Sequence, residues 1–268
     1  GEKVDILLSP TPVHKHHGGM IQDCTSKPPA LYDKLRQSLG RPFNLMRYWG
    51  PMASIESSAW IAAATLHAME HEAPEILFTY LPHLDYALQK YGPQNQKTTN
   101  AAVKQLLPLL AELVNGARRH GYEIVLWGDY AITPAERVVL PNRALREAGL
   151  FRVRQIRKMT YPDLYESPAF AMVDHQVAHV YLQSHEQLGA ARSCLENLPG
   201  IARVALGHKA MSDAAGDLVL TAEPGAWFAY PWWENPGEAP DYASHVDIHN
   251  KIGFDPCELF WGWPPPSI

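Results

Sequence analysis

Two short apolar runs on either side of a helical pattern constrain the fold of this chain most strongly. Residues 75–81 and 122–127 are nearly continuous apolar stretches of strand length, which is typical of strands buried on both faces of a parallel sheet. Between them, residues 101–119 carry Leu and Val at helical spacing, and His120-Gly121 marks the end of the helix. A strand, a helix and a second strand in this order predict a right-handed crossover and a parallel sheet covered by helices.

Weaker patterns predict further elements along the chain. The stretch up to about Leu39 is rich in Pro, Gly and His, which favours irregular structure. Ser54 is a candidate N-cap for a helix whose apolar residues recur every three or four positions up to Met69. The other predicted elements are a polar loop after residue 81, strands at 43–49, 169–173, 177–182, 218–222 and 227–230, and helices at 142–148 and 188–198.

Composition excludes several classes of protein. With 268 residues, of which 46% are hydrophobic, the chain can bury a large core. Its net charge of -5 and scattered basic residues argue against a nucleic-acid polymer as a partner. No apolar run approaches the roughly 20 residues that cross a bilayer, so we expect no membrane partner. Three distant cysteines without a Cys-x-x-Cys pair favour a reduced, cytoplasmic location.

Acidic residues follow both apolar runs. Asp85 comes after the first run and Asp129 after the second. Ligands of open parallel sheets lie beyond the carboxyl ends of the strands, so these carboxylates are candidates for a shared divalent-metal site that polarises a phosphoryl oxygen. Because Asp is also common in turns, a loop-cap role is left open for each of them.

The spacing of residues around Asp85 resembles a motif of the type I phosphodiesterase/nucleotide pyrophosphatase family, a branch of the alkaline phosphatase superfamily. In that family a His lies four residues after the Asp, and Gly-Pro follows three residues later. This chain has Gln89 and then Gly92-Pro93 at those positions. The first motif is therefore present with one ligand replaced.

Two further motifs occur in the family's order. The second family strand ends in Asp-His-Gly-Met, where this chain has Asp129 and Tyr130 followed by Ala-Ile. A family His near the C-terminus, before a glycine and an aromatic residue, corresponds to His249. The similarity spans nearly the whole chain. It implies an α/β, alkaline-phosphatase-like three-layer sandwich with a central, mostly parallel sheet and a small cap. Residues 1–268 would form the C-terminal part of one such domain, with residues 150–240 contributing the cap.

The resemblance also implies a set of metal ligands. Asp85 and His249 would bind a first metal with Gln89, and Asp129 a second with Tyr130. An amide and a phenol are poorer zinc ligands than imidazole, so one or two divalent ions are expected, either zinc or the harder manganese or magnesium.

Three other residues are weaker candidates. Asp174 and His175 would replace lost ligands, although a hairpin turn explains them equally well. Glu56 would lie near the substrate, although the helix dipole also favours an acid in a first turn.

The catalytic nucleophile is not identified in this sequence. The family uses a Thr or Ser at a helix N-terminus that precedes the matched region. Thr11, Ser54, Ser57 and Ser58 offer hydroxyls, but none has the family context. We therefore expect an N-terminal region supplied by the same gene or by another chain, and a homo-oligomer is left open.

The predicted function is metal-dependent hydrolysis of a phosphodiester or pyrophosphate bond in a small, nucleotide-like phosphate ester. The alternatives are a non-catalytic, degenerate member of the fold and a related phosphomonoesterase or phosphotransferase. Gln89 and Tyr130 are the residues that favour a degenerate member.

Overall fold

The computed structural model of the chain describes residues 4–16, 20–49, 52–128, 130–207 and 214–244. The chain divides into two compact units, Gly1–Thr133 and Pro134–Ile268. In the described part of the chain, no helix combines the length and apolar character that a bilayer span requires. The single domain with a cap at residues 150–240 stays a prediction.

The first unit combines short antiparallel strand pairs with helices. Its elements are β1 (Leu7–Pro10), β2 (Val13–His14), β3 (Met20–Ile21), β4 (Cys24–Lys27), α1 (Leu31–Ser38), α2 (Ile55–His71), α3 (His83–Tyr91) and α4 (Gln96–Arg119), with a 3-10 helix at Leu45–Arg47. Strand β1 pairs with β4, and β2 pairs with β3.

Local signals explain both long helices. Ser54 has an extended backbone, and its Oγ accepts a hydrogen bond from the N–H of Glu56 at 3.4 Å, which starts α2 as predicted. Helix α4 begins earlier than predicted because Asn95 caps it, with Oδ1 accepting from the N–H of Thr98 at 3.3 Å.

The core of the first unit forms around α2. The Trp60 ring meets Phe43 edge-on, with 5.1 Å between ring centroids, and its Nε1–H donates to the carbonyl of Arg41 at 3.1 Å. On α4, Gly116 allows a close approach to α2, because a Cβ at this position would lie 2.1 Å from Cδ2 of Leu66.

The predicted central parallel sheet is wrong for the described residues. Residues 75–81 and 122–127 contain no assigned strand, and the sheets that do form are small and mostly antiparallel. A strand exists only where backbone groups have ladder partners, and neither segment finds one within the described ranges. The sequence showed the apolar character of these segments but not their pairing.

Three local predictions are also corrected. The predicted strand at 43–49 contains a 3-10 helix, which Asn44 caps by accepting from the N–H of Met46 at 3.1 Å. The polar loop expected after residue 81 is helix α3. The opening stretch includes β1, β4 and α1, although irregular structure was predicted there.

The second unit contains the larger sheet. Its elements are β5 (Arg137–Val139), α5 (Pro141–Glu147), β6 (Val153–Ile156), β7 (Met159–Pro162), β8 (Ala169–Asp174), β9 (Val177–Leu182), α6 (Leu188–Glu196), β10 (Ile201–Leu206), β11 (Leu218–Ala222) and β12 (Ala226–Phe228). Strands β8 to β11 form an antiparallel sheet in the order β10-β11-β9-β8. Strands β5 and β12 pair in parallel, and β6 pairs with β7 in antiparallel fashion.

Most predicted elements of this unit are confirmed, with small shifts at their ends. Alternating residues of β8 and β9 point into one hydrophobic core that α5, α6 and β12 complete. Fully buried members of this core include Leu145, Val180, Leu195, Leu218, Leu220 and Phe228. The chain is therefore a mixed α/β protein.

The side chain of Asn142 hydrogen-bonds to the backbone at the outer edge of the sheet. Strand β8 is an edge strand. The buried Asn142 side chain donates to the carbonyl of Ala171 at 2.8 Å and accepts from its N–H at 2.7 Å. These two bonds satisfy edge groups that water cannot reach.

Replacing Asn142 with Ala should destabilise the protein. The change leaves a buried donor and a buried acceptor of Ala171 unpaired, which should cost about 2–4 kcal/mol of the free energy of unfolding. Urea unfolding measures this cost. Asn100→Ala, on the exposed face of α4, is the control and should change stability by less than about 0.5 kcal/mol. Equal effects of both variants would show that the edge bonds contribute little.

Candidate functional site

Asp85 occupies the first turn of α3. The helix begins without a side-chain cap, and the N–H of Asp85 donates to the carbonyl of Pro82 at 3.0 Å. A carboxylate in this turn is favoured by the helix dipole. Gln89 follows one helical turn later, so the two side chains share one face of α3. The first family motif is thus carried by a helix, where the sequence predicted a loop.

Tyr80 links this motif to the second one. Its phenol donates a short hydrogen bond to Oδ2 of Asp85 and also interacts with the side chain of Tyr130. Burial, the bond to Asp85 and the neighbouring Tyr130 phenol raise the pKa of Tyr80 well above its usual value. Two predicted site residues that are 45 positions apart in the sequence therefore contact one tyrosine.

Two further phenols lie near Asp85. Burial raises the pKa of Tyr48, and the charge of Asp85 raises it further. Burial also raises the pKa of Tyr86, with smaller contributions from Tyr48 and Asp85. Phenols with raised pKa values stay protonated at neutral pH. The surroundings of Asp85 are therefore rich in neutral hydrogen-bond donors.

Tyr86 connects this cluster to the start of α2. Ser57 Oγ donates to the carbonyl of Ser54 at 2.9 Å, and it lies 3.0 Å from the phenol oxygen of Tyr86. Because the hydroxyl of Ser57 has one proton, the Tyr86 phenol is the donor in this second bond. The first turn of α2 is thereby fixed to α3 beside Asp85.

Glu56 lies in the same first turn of α2. Its Oε2 is 3.4 Å from Nε of Arg47, and both side chains are substantially exposed. Glu56 and Ser57 also line a cavity of about 280 Å³ together with Gln22, Arg41, Pro42, Phe43, Asn44 and Trp60. The predicted substrate-side residue thus borders a cavity of small-molecule size, and its role there stays a prediction.

The remaining predicted residues are placed as follows. Asp174 ends β8, and His175 begins the turn between β8 and β9 with a φ of 53°. The carbonyl of His175 accepts from the N–H of Phe228 at 2.7 Å. Their hairpin-turn interpretation therefore has structural support, and their role as ligands stays a prediction. Asp129 and His249 lie outside the described residues.

The donor set limits which metal fits. Among the described residues, no three His, Cys, Asp or Glu side chains come together as a metal-binding group. Asp85 and Gln89 offer a carboxylate and an amide oxygen from one helix face. Manganese and magnesium prefer oxygen donors, whereas zinc prefers nitrogen and sulfur donors. These two residues fit part of an oxygen-rich cation site.

Tyr80, Tyr48 and Tyr86 were not among the site residues predicted from the sequence. Tyr80 was assigned to a buried strand that ends before Asp85. Tyr86 directly follows Asp85. A phenol adjacent to a candidate carboxylate was an available signal for Tyr86.

His83 should make stability depend on pH. This residue is buried at the start of α3, and its Nε2 lies 3.0 Å from Oε1 of Gln105. Burial lowers its pKa below the value of about 6.5 for an unfolded chain. The unfolded state therefore binds more protons just below pH 6.5, so stability should be full above that pH and fall as the pH drops towards the folded pKa.

Urea unfolding between pH 5 and 8 tests this expectation with His83→Gln as the comparison. The variant should lose part of the slope that the original protein shows below about pH 6.5. Burial also lowers the pKa of His67. A smaller slope of stability against pH should therefore remain in both proteins. Identical slopes would contradict the role of His83.

Comparison with known proteins identifies the family. Residues 6–255 match the family described as type I phosphodiesterase / nucleotide pyrophosphatase. No curated protein matches the chain at a significant level.

Two solved structures of phosphonoacetate hydrolase from Sinorhizobium meliloti 1021 resemble the chain. The complex with phosphonoformate has a TM-score of 0.50 and 20% sequence identity, covering 77% of this chain and 49% of the other. The complex with phosphonoacetate has a TM-score of 0.44 and 18% identity, covering 73% and 46%. The chain thus spans about half the length of these hydrolases, and the likeness concerns the fold.

The sequence motifs around Asp85 and Asp129 suggested the same family as this match over residues 6–255. The resemblance inferred from the motifs is thereby confirmed. The chain belongs to the type I phosphodiesterase/nucleotide pyrophosphatase family of the alkaline phosphatase superfamily.

Proposed function

We propose that this chain takes part in metal-dependent hydrolysis of a phosphodiester or pyrophosphate bond in a small, nucleotide-like substrate. The observation that carries the proposal is the contact of Tyr80 with both Asp85 and Tyr130. These two residues belong to separate family motifs, and the contact brings the motifs to one place. Membership of a hydrolase family supports the reaction class.

In this proposal Asp85 supplies the charged ligand of a divalent metal, and Gln89 supplies an amide oxygen from the same face of α3. Asp129, Tyr130 and His249 complete the ligand set. A bound metal would polarise the phosphoryl group and stabilise charge that develops on its oxygens. The short bond from Tyr80 orients the Asp85 carboxylate, as outer partners of metal ligands commonly do.

The phenols supply a second kind of stabilisation. Tyr48, Tyr80 and Tyr86 stay protonated because burial raises their pKa values. The O–H of Tyr80 is donated to Asp85 and that of Tyr86 to Ser57, so Tyr48 is the phenol of these three that would donate a hydrogen bond to an anionic oxygen, without adding charge. A donor fixed near the reacting group favours the transition state over the free substrate. The cavity beside Glu56 would hold part of the substrate that does not react.

Hydrolysis of a chromogenic phosphodiester tests the proposal. The complete polypeptide that the gene encodes is freed of metal with a chelator and then assayed with added manganese, magnesium or zinc. Turnover should disappear on chelation and return with at least one of these ions. Metal-independent turnover, or no turnover with any ion, would refute the proposal. A phosphomonoester assayed in parallel should be the poorer substrate, and the opposite ranking would favour a phosphomonoesterase.

Replacing Gln89 with His should strengthen zinc binding. The change restores the residue type of the family motif, and imidazole binds zinc more strongly than an amide oxygen does. Competition with a zinc indicator should show a tighter dissociation constant for Gln89→His by about 10-fold or more. Gln105, on α4, is unsuitable as the control position because its side chain contacts His83. Gln37→His, on the exposed surface of α1, is a better one and should leave zinc affinity unchanged.

A non-catalytic role is the second candidate. Gln89 and Tyr130 replace family histidines, and both replacements weaken a metal site. A degenerate protein would bind no divalent metal after incubation with a large excess. Measurable binding that Asp85→Asn abolishes would exclude this alternative.

A further inference from the structure

Two histidines lie on one face at the C-terminal end of α2. His67 and His71 are four residues apart, and α2 ends at His71. Side chains with this spacing are neighbours on a helix surface. The two imidazole rings have centroids 4.2 Å apart and planes inclined at 53°. The proposed hydrolysis uses neither histidine.

The separation of the rings suits a shared metal ion. Metal–imidazole bonds are about 2.1 Å long, so two imidazoles that bind one ion at adjacent positions have centroids roughly 4.5–5 Å apart. The observed 4.2 Å lies just below this range, and a small rotation of either side chain closes the difference. Histidines four residues apart on one helix face are a recurring pair of metal ligands.

A hydrogen bond to α1 orients the first ring. Nδ1 of His67 lies 3.2 Å from Oγ of Ser38. When the Nδ1–H donates to this hydroxyl, the lone pair of the neutral ring lies on Nε2, the nitrogen that is left for a metal. Histidine ligands of metals usually have such a partner on their other nitrogen, which fixes the ring and its tautomer. His67 is therefore oriented to bind through Nε2.

The surrounding charges favour a neutral imidazole and a bound cation. Burial lowers the pKa of His67, and the neighbouring His71 lowers it further, so this ring is largely uncharged at neutral pH and can act as a ligand. Oε2 of Glu70 is 3.9 Å from Nε2 of His71. Oε1 of Glu72 is 4.0 Å from Nζ of Lys34. Two carboxylates and one ammonium group leave a net negative charge beside the pair.

Two nitrogen donors select a class of metal. Imidazole suits copper, nickel and zinc, whereas magnesium and manganese prefer oxygen donors. Copper binds most tightly to such ligands in the usual affinity order of divalent metals. No third His, Cys, Asp or Glu side chain completes a metal-binding group within the part of the chain that the structure describes. Water would therefore fill the other positions around the ion.

We propose that His67 and His71 chelate a divalent transition metal of the copper, nickel and zinc class through one imidazole nitrogen each. The ion joins two successive turns of α2 and stabilises the end of this helix, since the chelating geometry exists only in the folded chain. The inference is independent of the proposed hydrolysis, because it uses other ligands and another class of metal than Asp85 and Gln89.

Titration with nickel tests the site in the complete, untagged polypeptide. Nickel is the probe because copper would oxidise cysteines, of which the chain has three. Calorimetry at neutral pH should show that His71→Asn binds one nickel ion fewer per chain than the original protein, or binds it at least about 10-fold more weakly. Because His71 is exposed, thermal unfolding of the metal-free variant should be unchanged. Magnesium should show no difference between the two proteins.

His120→Asn is the matched control. His120 is an exposed histidine that follows α4, and its variant should bind as many nickel ions as the original protein. Saturating nickel should also slow amide hydrogen exchange of residues 68–71 by at least about 10-fold in the original protein and not in His71→Asn. Equal nickel binding by all three proteins would overturn the inference. An equal loss in both histidine variants would overturn it as well, since histidine content alone would then set the binding.

Discussion

Replacing Asp85 with Asn should lower metal-dependent phosphodiester hydrolysis by at least about 100-fold. Loss of an outer partner of a metal ligand typically costs 10–100-fold in affinity or activity, so loss of a charged ligand should cost at least as much. Asn has nearly the same size and keeps an oxygen that accepts the hydrogen bond from Tyr80. The fold should therefore be retained, and the loss should appear in turnover at saturating metal.

The control for this variant is Glu112→Gln. Glu112 is an exposed carboxylate on α4, and its neutralisation changes the net charge of the protein by the same amount. Its turnover should stay within about 2-fold of the original, since surface substitutions usually have small effects. If Asp85→Asn kept full activity while unfolding normally, Asp85 would not be a metal ligand of the reaction.

Replacing Phe228 with Ala should destabilise the second unit by about 3–5 kcal/mol. Phe228 ends β12, is fully buried and packs in the main core of that unit. The substitution removes buried apolar area and leaves a cavity that the neighbouring strands cannot fill. Urea unfolding, followed by circular dichroism, should show the loss as a lower midpoint with a similar slope.

Tyr165→Ala is the matched aromatic control, because the Tyr165 side chain is largely exposed. Its free energy of unfolding should change by less than about 0.5 kcal/mol. A similar loss in both variants would mean that general aromatic content, rather than packing around Phe228, sets the stability of this unit.

The sequence predicted elements whose signals are local. The hairpin of β8 and β9 has alternating apolar residues around a short polar turn, and its register follows from that turn. Helix α2 combines an N-cap at Ser54 with apolar residues at helical spacing. In such cases the hydrophobic period, the helix cap and the turn residues indicate the same element. The prediction then does not depend on distant parts of the chain.

The central sheet could not be predicted in the same way. Apolar character in residues 75–81 and 122–127 showed what these segments tend to bury, but strand pairing requires a partner that the pattern does not name. In the described residues that partner is lacking. In the first segment Leu77 and Leu81 are half-buried and the other residues are exposed, so the alternation of a strand is lacking as well.

The candidate site was predicted in part. The spacing of Asp85 and Gln89 pointed to a metal site through family resemblance, and the structure places both on α3. Tyr80 was missed because its contact with Asp85 depends on how the chain turns into α3. Contacts of this kind follow from tertiary structure, and neither spacing nor composition predicts them.

Equilibrium metal binding tests the central claim, that Asp85 is a ligand of a divalent-metal site, most directly. The complete polypeptide is freed of metal, titrated with manganese and zinc, and compared with Asp85→Asn and Glu112→Gln. We expect at least one ion to bind the original protein and Glu112→Gln equally, with affinity lost by at least about 100-fold in Asp85→Asn. Equal affinity in all three proteins, or no binding to the original, would contradict the claim.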